Sequence, residues 1–241
     1  MQTTLTTRAT DRSPAFVVVT AMTPLVLGLM AYAADETSGL ARAVLLALFS
    51  SGAAWGLAAL VIGFLAPGRR LAIIAGVGGL IGATVVYYAL IVFVSRRWQG
   101  GWLEDGTPAD VMGLWSIARA LGFWLVVSVV AGAVFGVLGD AVARASDRVG
   151  AAAAGVAWGL AAASGIHDLL VLARWVGWNG QATDIAVSAA MTIALATLVV
   201  AVLRRRRGPR GSGGMLALAA TVSSGVGTAA WWLVESVRTA V

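Results

Sequence analysis

The stretch AVLLALFSSGAAWGLAALVIGFLA, Ala43–Ala66, runs without a single charged side chain. A helix needs about 20 mostly apolar residues to cross the roughly 30 Å hydrocarbon core of a bilayer. This stretch is long enough, and it lacks the period-two alternation of a lipid-facing barrel strand. Backbone amides in hydrocarbon must be satisfied inside the segment, which leaves the helix. Six further stretches meet the same requirement: Ala15–Ala34, Leu71–Val94, Met112–Leu138, Gly150–Ala173, Ile185–Leu203 and Met215–Val234. The connections are short, the longest running from Ser95 to Val111. The expectation is an all-α, polytopic transmembrane helix bundle of seven spans, one integral membrane domain over residues 1–241 with 1–14 as a cytoplasmic tail.

Composition points the same way. Of 241 residues, 59% are apolar and 12% charged, against about 45–50% and 25% in a soluble domain. Mean hydropathy is +0.88. The chain has no Cys, which excludes a disulfide framework, a thiolate metal site and a thiol nucleophile. It has no Lys, so Schiff-base chemistry is excluded as well. With one His, a transition-metal site would need mostly carboxylates, and neither metal nor cofactor is expected.

Met1–Pro14, the apolar run after it and Ala31-Tyr32-Ala33 have the outline of a signal peptide. The run is about 20 residues rather than 7–15 and contains Pro24, so an uncleaved first helix, kinked there, is the expectation. Arg placement orients the bundle, because cytoplasmic loops retain positive charge. With the N-terminus cytoplasmic, that side holds Arg8, Arg12, Arg69, Arg70, Arg144, Arg148, Arg204–Arg207 and Arg210, eleven residues. The other side holds Arg42, Arg96, Arg97, Arg174 and Arg238, five residues, with Arg96 and Arg97 the main dissent. The expected location is the bacterial inner (cytoplasmic) membrane, multi-pass. Arg204–Arg207 abut a span, so anionic lipid headgroups, not nucleic acid, are their expected partners.

Small residues four apart let helices approach closely in lipid. They occur as Gly52/Gly56, Gly78/Gly82, Gly132/Gly136 and Gly155/Gly159 in four consecutive spans. Gly52–Ala59 and Gly155–Ala162 also differ only at Ala53 versus Val156. A three-helix repeat has odd parity, so its two copies would lie inverted in the membrane. Phe49-Ser50-Ser51-Gly52-Ala53-Ala54-Trp55 leading to Gly63, then Tyr87-Tyr88, then Gly132–Gly139, resembles an uncharacterised actinobacterial multi-spanning membrane family known as a domain of unknown function. The resemblance covers about Leu27 to Gly165 and implies an integral membrane protein, with no catalytic residues to carry over.

Ionisable residues inside a membrane normally face the bundle interior and find partners. Arg119 in the fourth span falls about 10 Å below the outer end and Asp168 in the fifth about 8 Å below it. Tyr87 and Tyr88 fall at similar depth, His167 adjoins Asp168, and Glu235 marks the end of the seventh span, with Trp115, Trp175, Trp178, Trp231 and Trp232 ringing that side. One reading is an Arg119–Asp168 pair that locks two helices. The other is an outward-facing polar cluster in which Arg119 binds an anionic group and His167/Asp168 handle a proton. Ala162-Ala163-Ser164-Gly165 faintly resembles the Ser-Gly motif of rhomboid-type proteases, but His167 lies on the same helix and no later His exists. The chain is therefore expected to be non-catalytic. A small transporter or carrier is the leading expectation. A scaffold subunit, holding a second copy or a membrane partner protein, is the alternative.

Overall fold

The computed structural model describes residues 13–102, 106–174, 180–207 and 212–240. Those residues form eight α-helices: α1 (Pro14–Asp35), α2 (Gly39–Leu45), α3 (Gly52–Leu65), α4 (Arg69–Leu90), α5 (Asp110–Arg144), α6 (Asp147–Arg174), α7 (Gly180–Arg207) and α8 (Gly213–Ala240). A π-helical turn, Leu46–Ser50, joins α2 to α3, and another, Ile91–Ser95, extends α4. Counting α2–α3 as one span, seven helices are long and apolar enough to cross a membrane. Each apolar stretch read from the sequence falls on one of them. The protein is an integral, multi-pass membrane protein, all-α.

The second span is broken. Leu46–Ser50 winds as a π-turn and Ser51 adopts an extended conformation (φ −76°, ψ 151°) before α3 starts. Ser51 sits near the middle of the 27-residue segment Gly39–Leu65. Ser-Ser-Gly explains the location: serine hydroxyls compete for backbone groups, and Gly52 is a poor helix former. Ser51 Oγ donates to Ala47 O (2.7 Å) and accepts from Ala54 N–H (3.1 Å), capping α3. The indole N–H of Trp55 donates to Phe49 O (2.7 Å). Trp98 repeats the device at the second π-turn, donating to Val92 O (3.0 Å). Groups freed in an apolar environment thus find partners close by.

The bundle is organised around α6, whose apolar span is 67% buried, against 22–44% for the other six. Two parallel pairs carry the tightest packing. In α3–α5, a Cβ on Gly63 would collide with the Gly136 carbonyl, and one on Gly139 with the Leu60 carbonyl. In α6–α8, Gly155 meets Leu216 and Ala219, Gly159 meets Ala220 and Ser223, and Ala163 meets Gly227. Gly76 and Gly132 bring α4 equally close to α5.

Seven of the eight glycines singled out in the sequence have neighbours within 4 Å of their Cβ positions. Gly132/Gly136 and Gly155/Gly159 sit at backbone contacts, Gly56 under the Phe135 ring, Gly52 against Trp231, and Gly82 against Pro24. Gly78 is the exception: nothing lies within 4 Å of its Cβ position. It lines a shallow apolar groove between α1 and α4 with Phe16, Pro24 and Ile74. The seam of α4 is instead Ala72 and Gly76, four residues apart on a different face.

Arg207 also departs from expectation. Its guanidinium donates to the carbonyls of Val142 (2.6 Å) and Ala145, capping the end of α5, and lies 4.0 Å from Asp147. Cations are favoured at helix C-termini, where carbonyls lack partners. Arg207 is therefore a protein-protein strut. Arg205 and Arg206 are exposed.

Candidate functional site

The polar cluster expected from the sequence is divided into two groups on different helices. The first bolts α1 to α4. Tyr87 donates its hydroxyl to Asp35 Oδ2 (2.5 Å), and Tyr88 stacks edge-on against Tyr87 with ring centroids 5.2 Å apart. Arg97 bridges Asp35 (3.1 Å) and Glu36 (2.7 Å), with the Tyr32 ring 6.0 Å from its guanidinium carbon. The hydrogen bond to Glu36, reinforced by Asp35, raises the Arg97 pKa above its usual value. The sequence count left Arg97 as dissent; the fold neutralises it.

The second group lies between α6 and α8. His167 is buried, its side chain 8% exposed, and its Nδ1 is 3.2 Å from Asp168 Oδ1. Where His167 is neutral and Asp168 ionised, the carboxylate can only accept, so the imidazole proton is on Nδ1 and Nε2 presents a lone pair. That Nε2 is buried with no hydrogen-bond partner among the described residues. Ser164 Oγ and Thr228 Oγ1 are in the same condition. Ser164 lies three residues before His167, on one face of α6, and Thr228 lies three and four residues before Trp231 and Trp232, on one face of α8. The two faces meet where the rings of His167 and Trp232 pack edge-on, 4.8 Å apart. Trp231 lies over Gly52, 3.1 Å from its Cβ position, so the first residue of α3 closes the third side. Glu235, one turn beyond Trp231, is within electrostatic range of Asp168.

This wedge thus contains the break in the second span, three buried polar atoms without partners, two indoles and two carboxylates. Most buried polar groups in proteins are satisfied, so three orphans along the α6–α8 contact require a cause. Ser164 and His167 do not hydrogen-bond each other, so the nucleophile–base contact of a serine hydrolase is not made.

Arg119 is not part of either group. It is exposed on α5, and among the described residues no ion pair involves it. The expected Arg119–Asp168 lock is absent, and Asp168 is engaged by His167 instead. α5 has 35 residues, about 52 Å at 1.5 Å per residue, longer than a slab of about 30 Å, so depth counted from the start of the apolar stretch does not fix the level of Arg119, and spacing along α5 does not fix which way its side chain faces. Trp175 and Trp178 lie outside the described residues. Ser164 enters the sequence reading only as a hydrolase motif, and Thr228 has no sequence signal, since hydroxyls are common in helices.

Comparison with protein-family models, curated proteins and solved structures returns no match.

Proposed function

We propose that the protein is a small carrier of a polar solute, without catalytic activity, oriented with its N-terminus in the cytoplasm. The single observation behind this reading is the break at Ser51 beside the buried, unpartnered atoms of Ser164, His167 and Thr228. Irregular backbone at membrane depth is tolerated where it is enclosed by protein or lines a cavity, and carriers bind substrate at such interruptions. A packing scaffold gains nothing from three unsatisfied polar atoms, each of which costs about 1–3 kcal/mol. The pairing of α3 with α5 and of α6 with α8 through glycine adds support, since paired inverted units are a carrier architecture.

The absence of Cys makes the test clean. Ser164→Cys and Thr228→Cys each introduce one thiol, to be probed in membrane vesicles with a charged, membrane-impermeant thiol reagent. The carrier reading expects both to be labelled. If both stay unlabelled while a control thiol at exposed Val111 reacts, the wedge is sealed and the carrier reading fails.

A further inference from the structure

We infer that the wedge between α3, α6 and α8 binds a small cation that donates hydrogen bonds, ammonium or a primary amine; this rests on the carrier reading above. The chemistry of the lining selects it. In the tautomer that donates from Nδ1 to an ionised Asp168, 3.2 Å away, the lone pair of His167 Nε2 is an acceptor, and the hydroxyl oxygens of Ser164 and Thr228 can accept too. Three unpartnered lone-pair bearers along the α6–α8 contact suit a donor, and the two hydroxyls can turn their O–H groups away from it. Trp231 and Trp232 border the site with aromatic surface, which attracts cations through the ring quadrupole.

Charge excludes the opposite class. An anion would meet Asp168 and Glu235, and the start of α3, the obvious anion-binding element, is already capped by Ser51. A metal ion is the other cationic option. Among the described residues no three His, Cys, Asp or Glu side chains gather as a metal site, and hard cations prefer all-oxygen shells to an imidazole nitrogen. Ser164 and His167 are separated by less than one turn of α6, about 5 Å along the axis. That spacing suits an –NH3⁺ group bridging the two.

The test uses the full chain in detergent micelles, with the melting temperature followed against titrated salts. Ammonium chloride and methylammonium chloride should raise it saturably. Sodium chloride and tetramethylammonium chloride, the latter a cation with no N–H, should not. The double variant Ser164→Ala/Thr228→Val, which removes the orphan hydroxyls without adding bulk and so should fold, should weaken the apparent affinity for methylammonium at least tenfold. Equal stabilisation by tetramethylammonium, or saturable stabilisation by sodium formate in place of ammonium, overturns the inference. So does an unchanged affinity in the double variant. If no salt acts yet thiols at 164 and 228 are labelled, the cation is wrong and the carrier reading survives. If no salt acts and neither thiol is labelled, both are wrong.

Discussion

Thr84 and Ser128 share a hydrogen bond of 2.8 Å between α4 and α5, with Thr84 1% and Ser128 3% exposed. Such interhelical bonds in membranes average only about 0.6 kcal/mol in double-mutant cycles, because the separated helices find other partners. Thr84 has one already, donating to Leu80 O at 3.0 Å in its alternative role. A cycle built from Thr84→Val and Ser128→Ala, measured by unfolding in mixed micelles, should therefore give a coupling of about 0.6 kcal/mol. A value above about 2 kcal/mol would contradict this. Tyr87→Phe should cost more, about 1.5 kcal/mol in the same assay, because its hydroxyl donates to a carboxylate. Which ionisable residues lie within the spans was legible at this scale, and His167, Asp168, Glu235 and Tyr87 sit in polar groups. Their partners were not legible. Arg119 and Asp168 are complementary and close in predicted depth, yet depth along a helix says nothing about which way a side chain faces. Asp35, Glu36 and Arg97 looked like loop charges, and only the approach of α1 to α4 makes them a cluster.

Among elements, the seven spans were legible because lipid demands about 20 apolar residues of any helix that crosses it. The break in the second was not. Ser50-Ser51-Gly52 reads as an ordinary small-residue seam, and apolarity continues on both sides. The indole of Trp55 stabilises that break by satisfying Phe49 O. Trp55→Phe deletes the donor together with part of the packed indole, so it should destabilise the protein by at least the roughly 1–3 kcal/mol cost of an unsatisfied carbonyl away from water. Melting temperature in detergent would read this, and an unchanged value would mean the carbonyl has another partner. The glycine seams show the limit of spacing arguments. With Gly76, Gly78, Gly79 and Gly82 in one helix, a spacing of four fits more than one face. Identical substitutions should separate the faces. Gly136→Ala places a Cβ 2.5 Å from the Ala72 carbonyl and should cost about 1–3 kcal/mol through overpacking. Gly78→Ala meets nothing and should stabilise α4 by about 0.5–1 kcal/mol, the usual helix gain over Gly. Equal effects at both positions would refute the assignment of the α4–α5 seam.

For the whole molecule, the near-identical segments Gly52–Ala59 and Gly155–Ala162 begin two three-helix units whose first and third helices pack in parallel through glycine. The two tryptophans in these segments make different contacts: Trp55 donates to a backbone carbonyl nearby in its own chain segment, Phe49 O, whereas Trp158 donates to Thr197 Oγ1 of α7 (2.8 Å). With α1 as an additional first span, the total is odd, and an odd total places the two termini on opposite sides of the membrane. The Arg tally favours the proposed orientation, with the N-terminus in the cytoplasm. The fold weakens two of its contributors, because Arg97 is held by Asp35 and Glu36 and Arg207 is turned into the end of α5. Without them the counts fall from eleven to ten and from five to four. The direction of the bias is unaltered. A reporter fused after Val241 should therefore be exported, and one inserted at Gly211, between α7 and α8, should remain cytoplasmic. Replacing Arg204, Arg205 and Arg206 together with Gln should raise the cytoplasmic fraction of the Val241 fusion, since in the proposed orientation those charges retain the loop in the cytoplasm, without the α5-capping contacts that Arg207 makes. Arg207→Gln should instead lower the melting temperature and leave orientation intact. Were the Val241 reporter cytoplasmic in the unaltered protein, the number of crossings would be even. One of the seven apolar helices would then lie outside the bilayer, and the common depth of Gly52, His167 and Trp231 in the membrane would no longer follow.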